Sequence, residues 1–189
     1  MFLVDWFISL LKFLGLLSSV DKKVLFLGLD NSGKTTLLYK LSSNYQSNRS
    51  QAHYPNNQET IQISPSCKII ALDLGGRMLR TAWRTYCLGV TGIVFMVDAK
   101  DPSRFNEAHV ELSKFLNDGE FEHIPFVVLG NKVEHPNAVS ENTLSDALGI
   151  TGLRTGQTTG NKRPLELFMI SILRDTNVTE ALEWLVAQM

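Results

Sequence analysis

Cysteine is scarce in this sequence: Cys67 and Cys87 are the only two in 189 residues. They lack metal-ligand spacing and are too few for a disulfide framework, so a reducing, cytosol-facing compartment is expected. An excess of either charge is missing too. Eighteen Lys and Arg stand against nineteen Asp and Glu, a net charge of −1. That removes the basic footprint of nucleic-acid binding, and no nucleic-acid partner is expected. The histidines, His53, His109, His123 and His135, are scattered and suggest no metal role. No internal repeat or long low-complexity tract interrupts the chain. What remains is ordinary globular composition, 44% hydrophobic and 20% charged, at a length suited to one domain with a full core.

One stretch stands out against this plain background. Gly28-Leu29-Asp30-Asn31-Ser32-Gly33-Lys34-Thr35 reads GxxxxGK[ST], a phosphate-binding loop. It follows an apolar run, Val24 to Leu27, and opens into a helix-compatible segment, Thr35 to Leu41. Gly28 and Gly33 permit the backbone turns that direct successive N–H groups at one phosphate, at the positive end of a helix. Lys34 adds a point charge for the β- and γ-phosphates, and the Thr35 hydroxyl suits a magnesium ion. Asp30, Asn31, Ser32, Gly33, Lys34, Thr35 and Thr36 are therefore the expected phosphate contacts.

Residues 1–17 form a second unusual stretch. Their only strongly polar side chains, Asp5, Ser9 and Lys12, fall on one narrow helical stripe beside a broad apolar surface. The stretch is short of the roughly 20 residues of a membrane span. A secretory signal would need a basic start and a small-residue cleavage site, and N-myristoylation would need glycine where Phe2 stands. The expectation is a helix lying in the membrane interface, with Trp6 at headgroup level. The competing reading packs this helix permanently on the core. The domain division expected is residues 1–19 for the helix and 20–189 for the nucleotide-binding domain.

Between Ser42 and Glu59 the chain is polar and patternless, and a mobile loop is expected. Thr60–Ser64 and Cys67–Leu72 read as strands around a Ser-Pro turn. The second delivers Asp73-Leu74-Gly75-Gly76, in which Asp73 suits magnesium and the Gly76 N–H a γ-phosphate. Gly92–Val97 and Pro125–Leu129 read as buried parallel strands, the latter delivering Asn131-Lys132-Val133-Glu134. Phe105–Leu116 and Ser140–Leu148 read as helices, with Ser140 as N-cap. Gly149–Arg163 reads as an exposed loop and Leu165–Ile170 as the last strand. Asn177 and Glu180 have capping-box spacing before a helix over Ala181–Val186. The fold expected is α/β: a doubly wound, mostly parallel six-stranded sheet with helices on both faces and its ligand at the strands' C-terminal ends.

With these motifs the chain resembles the small GTPases, and within them the Arf/Sar group. GLDNSGKT, DLGG, Trp83-Arg84-Thr85-Tyr86 and GIVFMVDAKDPSRF carry the likeness. FVVLGNK, Gln157-Thr158-Thr159-Gly160 and Phe168-Met169-Ile170-Ser171 resemble the Sar branch in particular, as does the unmyristoylated N-terminal helix. The loop before Pro164 is shorter than in most relatives. The resemblance implies a P-loop NTPase fold binding GTP or GDP with Mg2+, and a switch that hydrolyses GTP. It implies an N-terminal helix extruded into the endoplasmic reticulum membrane in the GTP form, cycling with the cytosol, with the Golgi as a second station. The implied partners are the inner subunits of coat protein complex II, one of them the activating protein, and a membrane-bound exchange factor. Ser47–Glu59 would be the first switch and Asp73 to about Tyr86 the second. Asn131, Lys132 and Glu134 would read the guanine base, with Ser171 and the Ile172 N–H completing its pocket.

Three positions depart from the family. Arg77 follows DLGG where relatives carry a water-orienting histidine. Its guanidinium has N–H donors and no acceptor, so it cannot take a hydrogen bond from the attacking water. It can still neutralise phosphate charge, so Arg77, with Gly76 and Lys34, is the expected catalytic set and slow intrinsic hydrolysis is expected. Glu134 stands where the guanine-reading aspartate is usual, one methylene longer. Asn56 falls at the switch threonine that ligates magnesium, with Thr60 the alternative register. Thr35, Asp73 and Asn56 form the expected metal set. These departures also suit a rival, a nucleotide-binding scaffold of the same fold that hydrolyses poorly. An Arf-like regulator at another membrane is the third reading.

Overall fold

The computed structural model describes residues 22–43, 58–64, 67–72, 89–155 and 163–189. The expected N-terminal helix, Asn56, the Asp73–Gly76 motif, Arg77, Trp83–Tyr86 and Gln157–Gly160 lie outside the described residues. Among the described residues, six strands form one sheet in the order β2-β3-β1-β4-β5-β6. In chain order they are β1 (Lys22–Gly28), β2 (Gln58–Ser64), β3 (Cys67–Leu72), β4 (Gly92–Asp98), β5 (Phe126–Asn131) and β6 (Leu165–Met169). The helices are α1 (Lys34–Ser43), α2 (Phe105–Leu116), α3 (Glu141–Ala147) and α4 (Val178–Gln188). All neighbouring strands run parallel except β2 and β3, which pair antiparallel at one edge.

Side-chain alternation along the strands explains why both faces are covered. In β1, β4 and β5, Val24, Phe26, Val94, Met96, Val127 and Leu129 face one core, shared with Leu37, Leu38 and Leu41 of α1 and five buried residues of α4. Their neighbours in sequence, including Leu25, Phe95 and Val128, face the other core, under α2 and α3. A strand buried on both sides must be apolar at every position, which is why these three read as continuous apolar runs. In α2, Phe105, Ala108, Leu112 and Phe115 recur at helical spacing and supply its buried stripe.

The sheet order doubles back at β1, which has β3 on one side and β4 on the other. The loop leaving the C-terminal end of β1 therefore sits at the topological switch point, where open α/β sheets bind ligands.

Four expectations need correction. The polar stretch Ser42–Glu59 is not all loop: Ser42 and Ser43 finish α1, while Gln58 and Glu59 pair with Leu72 and Ala71. Backbone pairing overrides side-chain polarity there, as an edge strand permits. The segment from Gly149 is not wholly exposed, because Ile150 is fully buried in the α2/α3 core. The Thr155 N–H also donates to the Leu165 carbonyl at 2.8 Å, tying the segment to β6. The last helix begins at Val178, three residues before the expected Ala181. Asn177 is left-handed at φ 54° and makes no side-chain cap; its amide Nδ2 donates to the Met169 carbonyl at 3.0 Å instead. Ser140, by contrast, caps α3 as expected, accepting from the Thr143 N–H at 3.3 Å.

Candidate nucleotide-binding site

Two glycines set the shape of the loop between β1 and α1. Gly28 has φ 131°, and a Cβ there would stand 2.1 Å from the Met96 carbonyl oxygen of the neighbouring strand. Gly33 has φ 105°, and a Cβ would stand 2.3 Å from Asn131 Nδ2. Neither position accepts a side chain. Lys34 is 3% exposed, and its ammonium donates to the carbonyls of Gly28 at 2.9 Å and Leu29 at 2.7 Å. Ser32 is buried and its hydroxyl donates to the Leu29 carbonyl at 2.8 Å. Thr35 and Thr36 are exposed in the first turn of α1. The N–H groups of a first turn have no carbonyl one turn upstream, so they are available to an anion.

The residues expected to read the base arrive from two other strands. Asn131 ends β5 and is 3% exposed. Its Nδ2 donates to the Ser32 carbonyl at 2.9 Å, and its Oδ1 lies 3.4 Å from the Ile172 N–H. One amide thus joins the loops that follow β1, β5 and β6. Lys132, left-handed at φ 70°, donates to the Asn31 carbonyl at 2.7 Å and to Asp98 Oδ2 at 2.6 Å. After β6, Ser171 and Thr176 exchange backbone bonds of 3.1 and 3.0 Å and close a short loop. Lys40 braces that loop from α1, 2.7 Å from the Ile172 carbonyl and 2.9 Å from Asp175.

Glu134 stands beside this loop. Hydrogen bonding from the Ser171 hydroxyl is the main reason its carboxyl is held below the usual glutamate range; Arg174 and His135 add to the effect and desolvation opposes it. Ser171 itself is completely buried. Glu134 Oε2 is shielded from water and has no hydrogen-bond partner among the described residues. A shielded carboxylate oxygen without a donor is costly unless a ligand brings one. The N1–H and 2-amino edge of guanine is such a donor set. Together with the glycine-shaped phosphate loop, this fits a guanine nucleotide.

The structure therefore gathers Asp30, Asn31, Ser32, Gly33, Lys34, Thr35, Thr36, Asn131, Lys132, Glu134, Ser171 and Ile172 at one end of the sheet. The Ile172 N–H, expected at the base, is directed at Asn131. Gly76, Arg77, Asp73 and Asn56 lie outside the described residues, and the metal set is represented by Thr35 alone. Sequence reasoning missed Asp98, Lys40 and Arg104. Asp98 had a signal, since it ends β4 in register with Asn131, the end of β5. Arg104 had none beyond its place in GIVFMVDAKDPSRF.

Comparison with known proteins agrees with this geometry. Residues 7–189 match the ADP-ribosylation factor family. Among similar proteins, the small COPII coat GTPase SAR1 of Giardia intestinalis is 38% identical over 96% of both chains. Its namesake from Nicotiana tabacum is 36% identical over 98% of both. ADP-ribosylation factor-like protein 8b of Arabidopsis thaliana is 32% identical over 88% of this chain and 86% of its own. The chain belongs to the ADP-ribosylation factor family of small GTPases, within its Sar-type group.

Proposed function

We propose that this protein is a GTP-dependent switch that recruits coat protein complex II at the cytoplasmic face of the endoplasmic reticulum. The observation that carries the nucleotide part is Asn131, whose single amide ties the phosphate loop to the loop that flanks Glu134. The coat assignment is supported by the relatives named small COPII coat GTPases, which align end to end with this chain.

In this reading Lys34 and the first-turn N–H groups of α1 hold the β- and γ-phosphates, and Glu134 Oε2 takes a donor from guanine. Thr35, Asp73 and either Asn56 or Thr60 would hold magnesium, which supplies charge neutralisation at the phosphates when bound. Water attacks the γ-phosphorus and the bond to the β–γ bridging oxygen breaks, leaving GDP and phosphate. The Gly76 N–H and the Arg77 guanidinium stabilise the charge that develops. Arg77 cannot align the attacking water, so hydrolysis is slow without a partner.

Residues 1–19 act as the membrane helix and 20–189 as the nucleotide domain. The helix inserts in the GTP state and leaves the membrane for the cytosol in the GDP state. A membrane-bound exchange factor loads GTP, and an inner-coat subunit activates hydrolysis.

Single-turnover hydrolysis by GTP-loaded protein, with and without the inner-coat activating subunit, tests this. Acceleration of about a thousandfold or more is expected of a working switch. Stable loading without acceleration would overturn it in favour of a long-lived scaffold, which Arg77, Glu134 and Asn56 favour. Acceleration by an Arf-type activating protein alone would favour a regulator at another membrane.

A further inference from the structure

The carbonyl groups of the phosphate loop are held one after another. Those of Gly28 and Leu29 accept from Lys34. The Asn31 carbonyl accepts from Lys132 and the Ser32 carbonyl from Asn131, both outside the loop. Between them, the Asp30 carbonyl accepts from Arg104 Nη1 at 3.1 Å, and Arg104 Nη2 holds the Asp30 carboxylate at 2.7 Å. In a trans peptide the C=O and the following N–H point in opposite directions. Fixing a carbonyl from outside the loop therefore fixes where the next N–H aims, and those N–H groups form the anion cradle.

Four of these five carbonyls are held by residues of the phosphate-loop and NKVE motifs. Arg104 is the exception. It sits in a short 3-10 turn, Pro102–Arg104, that leads into α2. We propose that Arg104 is a positioning residue for nucleotide binding, holding the Asp30 peptide in register and offsetting the Asp30 charge beside the phosphates. This rests on the phosphate loop being the nucleotide site.

Two further observations support it. Hydrogen bonding to Arg104 is the largest influence holding the Asp30 carboxyl below its usual range, and the Lys34 ammonium contributes as well. The Asp30 charge is thus felt at the phosphate-binding lysine, and without Arg104 it would compete with phosphate there. Glu107 Oε2 lies 2.9 Å from both Nε and Nη2 of Arg104, which orients the guanidinium so that Nη1 faces the loop and Nη2 is shared between Glu107 and Asp30.

The test is release of a ribose-labelled fluorescent GDP from the full-length chain, in a cycle of Arg104→Gln and Asp30→Asn, with Glu107→Gln and Arg104→Lys alongside. Arg104→Gln is expected to speed release about fivefold, a modest effect because the pair is partly exposed. Arg104→Lys should fall between, keeping the charge without the fork. The double variant should release more slowly than Arg104→Gln, because Asp30→Asn removes the uncompensated charge. Equal or faster release from the double variant would overturn the proposal, as would release unchanged in Arg104→Gln or faster still in Glu107→Gln. If Arg104→Gln does not fold, Arg104→Lys must still release faster than the parent. A parent protein that binds no labelled GDP would overturn the nucleotide reading and this proposal with it; equal release from all variants would overturn this one alone.

Discussion

Glu134 shows how one methylene becomes a measurable difference. Its carboxylate is held in the ionised form chiefly by the buried Ser171 hydroxyl, and its Oε2 awaits a donor. A depressed pKa in the folded protein contributes stability above the ordinary glutamate value, and that contribution is lost as pH falls through the depressed value. Glu134→Gln in the GDP-bound protein is therefore expected to be destabilising at pH 7, with the difference from the parent fading below about pH 4.3. Urea unfolding at pH 7 and in the acid range checks this; a difference that persists in acid would mean that shape, not charge, matters at this position. The residue was legible in sequence as the last member of NKVE. Its tie to Ser171 was legible only through the family likeness, since 37 positions separate them. Arg104 stood in the sequence only as part of GIVFMVDAKDPSRF; its pairing with Asp30, 74 residues upstream, was not legible.

At the scale of elements, the buried strands and α2 could be read directly because periodicity and burial agree. In α2 the expected and observed limits coincide at Phe105 and Leu116. Element ends were harder wherever backbone geometry overrules side-chain pattern. Asn177 is the clearest case: capping-box spacing predicts a side-chain cap, yet the residue adopts φ 54° and turns its amide to Met169. A left-handed residue without a glycine's freedom carries a penalty of roughly 1–2 kcal/mol, which asparagine bears better than most. Asn177→Ala should then destabilise the protein by about 1–2 kcal/mol, from backbone strain and the lost bond to Met169. Asn177→Gly should cost less, because relief of strain offsets the lost bond. Thermal unfolding of the pair decides the matter: equal losses would assign the whole effect to the Met169 bond.

The described residues form two cores on a shared sheet, and at its ligand end the loops are also joined to one another by polar side chains. Lys34, Asn131, Lys132 and Lys40 bind those loops together largely through backbone carbonyls. A bound nucleotide adds contacts to the same loops, so it should stabilise the domain as a unit. At a ligand concentration about a hundredfold above Kd the linkage amounts to about 2.7 kcal/mol. For a domain of this size that corresponds to a rise in Tm of roughly 5–10 °C. GDP should produce this rise in the full chain, and ADP at the same concentration should not, because adenine presents no N1–H to Glu134 Oε2. An equal rise with ADP would leave the phosphate loop as the binding element and remove Glu134 from base selection. A rise with neither would mean that the loops, though shaped for phosphate, hold each other too tightly to admit it.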